Sequence, residues 1–148
     1  MDWLYKNTPI KDANIDITQY VGFIYKITHK ESGKYYIGKK NFYSSYKHKL
    51  TQKQLLLHEG KKGRKPTHET LTRESDWVTY YGSNEALCAD VKALGGDSFT
   101  REILHLCTDK INLTYWEAYF QFTYNVLLDE LAYNSNILGS FYKGKVHI

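Results

Sequence analysis

Gly22-Phe23-Ile24-Tyr25 and Tyr35-Tyr36-Ile37-Gly38 are the two strings that decide the fold of this 148-residue chain. Each is an apolar run of β-branched and aromatic residues, the composition of a strand. The link Thr28-His29-Lys30-Glu31-Ser32-Gly33-Lys34 is polar and carries Ser and Gly, so the pair reads as an antiparallel hairpin over about residues 20–38. Strict alternation sets Phe23, Tyr25 and Ile27 on one face. Gly38 ends the second strand where backbone must approach something closely.

Working outward, the first 17 or so residues read as an irregular arm that covers a sheet edge. Beyond the hairpin, residues 43–74 hold repeated Lys and His with Gly60, Gly63 and Pro66, which argues against a continuous strand and allows one short helix near Thr51 to His58. Ser75 to Ser83 predicts a short helix stopped by Gly82, and Ser83 then caps a second helix with Leu87, Val91 and Leu94 on one face and Gly95-Gly96 as terminator. Phe99 to Leu106 reads as a third strand. From Thr114 to about Ala132 there is no Gly or Pro, and Trp116, Phe120, Leu127 and Leu131 recur at helical intervals. The expected architecture is α+β: a small three-stranded antiparallel β-sheet flanked by helices, one domain over residues 1–148, with a basic insertion at about 43–74 after the first hairpin.

Hydrophobic residues make up 42% of the chain, enough for one core. The net charge of +4 is unevenly spread. Lys39 through Arg73 holds ten Lys or Arg against Glu59 and Glu69, a net +8, which leaves −4 for the remainder. Such asymmetry marks a surface for a polyanion. No apolar run is long enough to span a bilayer and the first residues lack the apolar core of a signal peptide, so a soluble, cytoplasmic protein without membrane contact is expected. Cys88 and Cys107 are isolated and read as buried thiols, and His48, His58 and His68 lack the ligand spacing of a zinc site.

The two tyrosine strings resemble the paired motifs of the GIY-YIG nuclease family. Later features follow the family's order: a basic stretch containing arginine, Glu117 at the opening of a long helix, and Asn134 after that helix, so the likeness spans about residues 20–136. It resembles the stand-alone, phage or mobile-element type of these enzymes, which implies the host cytoplasm. The resemblance implies a DNA endonuclease that hydrolyses phosphodiester bonds with Mg²⁺, or Mn²⁺ in its place, held by Glu117. It implies catalytic roles for Tyr25 and Tyr36, with Tyr25 taking the proton from water and Tyr36 holding a phosphate oxygen, roles that can be exchanged. Lys39 falls where relatives carry a lysine. The family's arginine is missing from Asn41 to Leu50, and two later residues can stand in for it: Arg64, with His68 four positions on but Pro66 between them, or Arg73, which precedes the Trp77 helix. Lys40, Lys47, Lys61, Lys62, Lys65 and Asn134 are the expected DNA contacts, Asn134 having bracing of the site as its other role.

Local sequence offers plainer readings beside these. Two strand tyrosines can simply pack a core, and Thr114-Tyr115-Trp116-Glu117 has capping-box spacing in which the glutamate only satisfies helix amides. A DNA-binding protein without catalysis, a nuclease for RNA or branched DNA, and a module whose basic loop binds an acidic protein stay open. So does a homodimer, which nothing in the sequence indicates.

Overall fold

The amino terminus is not an irregular arm. In this computed structural model, which describes residues 1–60 and 63–148, Trp3–Tyr5 (β1) and Thr8–Pro9 (β2) are short strands of the main sheet. The expected DNA contacts Lys61 and Lys62 lie outside the described residues. The predicted hairpin follows as β3 (Gly22–His29) and β4 (Tyr35–Asn41). Next come β5 (Tyr43–Lys49), α1 (Gln52–Leu56) and β6 (His68–Glu74). The chain continues with α2 (Glu85–Leu94), β7 (Phe99–Cys107), α3 (Lys110–Thr123), β8 (Asn136–Ile137) and β9 (Phe141–Tyr142). No helix among the described residues is long and apolar enough to cross a membrane.

The α+β class is as expected, but the sheet is larger and mixed. Its five strands run in the order β2-β1-β7-β3-β4, with β1 parallel to β7 and the other pairs antiparallel. The arm escaped a strand reading because Trp3-Leu4-Tyr5 is too short to show a period; tertiary burial makes it a strand. Trp3 is fully buried, stacks edge-on against Phe23 at 5.0 Å and Tyr25 at 5.5 Å, and donates from Nε1 to the carbonyl of Trp77 at 2.7 Å.

Two compact units divide the chain: residues 1–42 with 76–148, and residues 43–75. In the first unit both faces of β3 are buried. On one, Phe23 and Tyr25 join Trp3, Phe42 and Trp77 in an aromatic cluster. On the other, Ile24 and Ile37 pack with Leu113, Val126 and Ile137, so α3 and the segment after it cover that side. A bulge between Ile24 and Tyr25 sets Leu104 as the extra residue of β7; such a bulge bends the strand and re-aims its side chains.

The helix boundaries differ from those the sequence suggests. α3 starts at Lys110, capped by Asp109, whose side chain accepts from the amide of Asn112, and it ends at Thr123 rather than near Ala132. α2 is capped by Asn84, not Ser83; both residue types cap well, and adjacent candidates cannot be told apart by type alone. The predicted helix before Gly82 is a single 3₁₀ turn at Trp77–Thr79. Cys107 is buried as expected, while Cys88 is exposed and its thiol donates to the carbonyl of Gly82 at 3.2 Å.

In the second unit, β5 and β6 pair antiparallel from Tyr43↔Glu74 to Lys49↔His68. A strand was not expected here, because Ser, Lys, His and Thr give no apolar alternation and the partners are distant in sequence. The short helix was legible: Thr51 and Gln54 form a capping box at its start.

Truncating Trp3 removes a buried indole and leaves a cavity beside Phe23 and Tyr25. Trp3→Ala is expected to cost about 3–5 kcal/mol, read as a lowered urea midpoint with an unchanged denaturant slope.

Candidate active site

β4 is an edge strand, yet its outer backbone is not left open. The amide of Tyr35 donates to Leu131 and its carbonyl accepts from Tyr133, so the chain after α3 runs alongside. Asn134 continues the pairing through its side chain: Oδ1 accepts from the Ile37 amide at 3.1 Å and Nδ2 donates to the Ile37 carbonyl at 2.8 Å. Gln121 on α3 donates to the same carbonyl at 3.0 Å. Asn134 is only 2% exposed. Both ends of the Asn134 amide are thus engaged on Ile37, where it braces β4.

Between those pinned residues, Tyr36 faces a cleft of about 870 Å³ whose lining includes Ser83, Asn84, Glu117 and Gln121. Glu117 lies in the interior of α3, so the capping-box reading with Thr114 falls, and it does not open the helix as the sequence suggested. Its carboxylate accepts a hydrogen bond from the backbone amide of Lys39 and feels that residue's charge. The Lys39 ammonium donates to Thr114 Oγ1 at 3.0 Å and is otherwise exposed.

Tyr25 sits opposite Gly38 in the β3–β4 register. A Cβ on Gly38 would lie 2.6 Å from the Tyr25 hydroxyl and 2.8 Å from the Tyr36 ring, so this is the close approach for which the sequence requires glycine. The Tyr25 ring lies 6.1 Å from Tyr36 and 5.9 Å from Tyr80. Gly82 closes the group: its φ of +91° suits glycine, and an added Cβ would meet Leu87 at 2.9 Å and the Tyr25 hydroxyl at 3.5 Å.

The two phenols differ in environment. Tyr25 is 1% exposed, and burial, then the neighbouring Tyr36 and Tyr80, drive its pKa far above the ordinary phenol value. Burial also raises Tyr36, but there a hydrogen bond with Ser83 works in the opposite direction by favouring the phenolate. The Glu117 carboxyl is held above its usual range, first by burial, with the Lys39 charge and amide opposing.

The remaining expected residues are placed elsewhere. Lys40 is not a free cation: it pairs with Asp76 at 2.6 Å and lies 3.9 Å from the centre of the Tyr80 ring. Arg64, His68, Arg73, Lys47 and Lys65 all belong to the second unit. Arg73 is a residue of β6 rather than a helix lead-in, and its guanidinium stacks on Tyr46 at 4.9 Å. His68 begins β6 and bonds Thr67, so the helical pairing with Arg64 does not form. Sequence reasoning passed over Arg101, the third arginine. It is 4% exposed, held between Trp3 and Tyr81, and donates to the carbonyls of Val78 and Tyr80 at 2.9 Å and to that of Met1. It fastens the loop that carries Tyr80 and cannot also clamp a phosphate. Tyr80 and Ser83 were missed as members of the site; the tyrosine-rich run before Gly82 was the available signal.

The donor set fits a weakly held hard cation rather than a protein cage. Among the described residues no three His, Cys, Asp or Glu side chains gather as a metal cluster. A lone, partly desolvated carboxylate beside hydroxyls is what Mg²⁺ uses when it keeps waters and takes further oxygens from a substrate phosphate.

The model of a family described as "Putative endonuclease segE, GIY-YIG domain" matches residues 3–137. The chain belongs to this GIY-YIG family. Neither a curated protein nor a solved structure matches it. The match begins at β1, so the GIY-YIG domain here includes the short amino-terminal strand that the motif reading from residue 20 left out.

A carboxyl whose folded pKa is raised holds its proton more readily in the native state than in the unfolded one. Its cost to stability is therefore absent below the unfolded value of about 4.3 and grows as pH rises through the folded value. Glu117→Gln is expected to raise the urea midpoint at about pH 7 and to leave it unchanged below about pH 4; an equal shift at both pH values would contradict the desolvation of Glu117.

Proposed function

We propose that this GIY-YIG domain is a metal-dependent DNA endonuclease whose cleft between β4, α3 and the Gly82-Ser83 turn holds the scissile phosphate. The observation that carries this reading is the convergence of Tyr36, Ser83 and Glu117 on one cleft, with the exposed Lys39 ammonium bonded to Thr114 on the same helix as Glu117 and its charge acting on that carboxylate. Phosphodiester hydrolysis asks for an oriented water, a place for its proton and charge to meet the transition state.

Tyr36 is the phenol assigned to the attacking water, which reverses the roles first expected of the two tyrosines. Tyr36 lines the cleft and Ser83 favours its phenolate, whereas Tyr25 is buried against Tyr80 with its pKa driven far up. Tyr25 acts as a positioning residue, its ring fixing Tyr36 across Gly38. Lys39 is the cation that meets a phosphate oxygen. A divalent cation held by Glu117 would supply Lewis-acid charge to the phosphate and its leaving oxygen.

One observation favours a second reading, a DNA-binding protein that has lost catalysis: the only arginine of the first unit, Arg101, is spent on backbone carbonyls. Supercoiled plasmid with Mg²⁺ or Mn²⁺ separates the two. The nuclease reading expects nicking that EDTA, Glu117→Gln and Tyr36→Phe each reduce by about 10²–10⁴-fold, with a smaller loss for Tyr25→Phe. Mg²⁺ should also raise the thermal midpoint of the wild type and leave that of Glu117→Gln unmoved. Binding without any cut across both metals supports the second reading, and nicking that survives Glu117→Gln removes the metal assignment.

A further inference from the structure

We propose that the β5–β6 ribbon enters the major groove of duplex DNA, presenting the face that carries Lys47, Lys49, Thr70 and Thr72. The proposal rests on the reading of this protein as one that acts on DNA.

The register divides the ribbon into two unlike faces. Ser44, Tyr46 and His48 stand opposite Arg73, Leu71 and Glu69. Their charged groups are occupied with one another: Arg73 stacks on Tyr46, and His48 pairs with Glu69 at 3.2 Å. On the other face Ser45, Lys47 and Lys49 stand opposite Thr72, Thr70 and His68. The same face ends in Tyr43 opposite Glu74, its one carboxylate, at the far end of the ribbon from Lys49 and His68; Lys47 and Lys49 have no ion-pair partner among the described residues. Arg64 and Lys65 join Lys47, His68 and Thr70 around a hollow of about 280 Å³, which concentrates further positive charge on this side.

The dimensions suit a groove. Two strands lie about 4.8 Å apart, and with side chains such a ribbon fits the major groove, about 12 Å wide, one of the two kinds of element that groove admits. Each strand has seven residues, about 23 Å of extended chain. The division of labour follows from chemistry: lysine ammoniums meet phosphates, and threonine hydroxyls, which both donate and accept, can meet base edges between them. An isolated two-stranded ribbon is only marginally stable in water, so packing into a groove also gives this one a surface to order against.

The test is fluorescence anisotropy with a short labelled duplex in EDTA, titrated over a range of salt concentrations. The double variant Lys47→Ala with Lys49→Ala is expected to bind about tenfold more weakly, with the slope of log K against log salt reduced by about 2. Lys92→Ala with Lys145→Ala removes the same charge from the first unit and should leave binding unchanged. Thr70→Val should flatten sequence preference in a selection from random duplexes while keeping most of the affinity. Prebound netropsin, a minor-groove ligand, should not compete, and bulky substituents on pyrimidine C5 should abolish binding. Displacement by netropsin overturns the groove assignment. Unchanged affinity of the Lys47/Lys49 variant overturns the ribbon itself and leaves those lysines as guards against edge-to-edge strand pairing, with the nuclease reading intact. Ribbon-dependent binding in EDTA together with no nicking of plasmid in either Mg²⁺ or Mn²⁺ leaves the ribbon proposal standing and removes the nuclease reading, whereas failure to bind any duplex removes both.

Discussion

A sheet edge that carries functional side chains must satisfy its outward backbone without being covered over. In this protein the problem falls on β4, and the side-chain amide of Asn134 solves it by engaging both backbone groups of Ile37. An open strand edge invites pairing with another chain, and a further strand laid on it would close the cleft beside Tyr36. A side chain that imitates a strand partner for one residue does neither. Tyr36 is thereby held between Tyr35, tied to Leu131 and Tyr133, and Ile37, tied to Asn134 and Gln121. The position of the phenol is set by backbone bonds on both sides of it.

The same edge geometry explains the electrostatics. On the inner face, the Tyr25 ring crosses Gly38 and is sealed by Trp3, Tyr80 and the Gly82 turn, so its hydroxyl is deprived of water. Around the edge, Glu117 is desolvated but offset by an amide and an ammonium from one residue, Lys39. Both groups are therefore held in their neutral forms more strongly than in water, and added positive charge in the cleft would move Glu117 towards ionisation. A desolvated carboxyl of this kind lowers the stability of the domain near neutral pH, and such forgone stability is a usual companion of function.

Much of the first unit was legible in the sequence, because its elements carry apolar periodicity. The β3–β4 hairpin, α2 with its Gly95-Gly96 stop and β7 follow from local pattern, and Gly38 was correctly read as a close approach but not as the strand's end, since β4 stays paired to β3 as far as Asn41. Trp3-Leu4-Tyr5 was not legible, since three residues show no period and only the distant Phe23 and Tyr25 make them a strand. The start of α3 was misplaced because Asp109 and Thr114 are both good caps, and the choice between them fixes whether Glu117 merely caps or reaches the cleft. The ribbon was illegible for the opposite reason to the arm: it is long enough, but its alternation is between two kinds of polar face, and hydrophobic patterning cannot register that.

The arginines bear most directly on mechanism. Three occur in the chain: Arg101 is consumed in holding carbonyls, and Arg64 and Arg73 belong to the second unit. Within the first unit the cation beside the candidate metal ligand is therefore a lysine, Lys39, and the exchange is not neutral. A guanidinium clamps two phosphate oxygens in a fixed plane, whereas an ammonium is a compact, strongly hydrated point charge on a flexible stem. Lys39 gains some of the missing rigidity from Thr114, which accepts from its ammonium, and from its own amide, which is fixed on Glu117. Under the proposed nuclease reading, orientation of a phosphate would come less from the cation than from the hydroxyls of Tyr36 and Ser83, the residues positioned by the pinning of β4 and by the Gly82 turn.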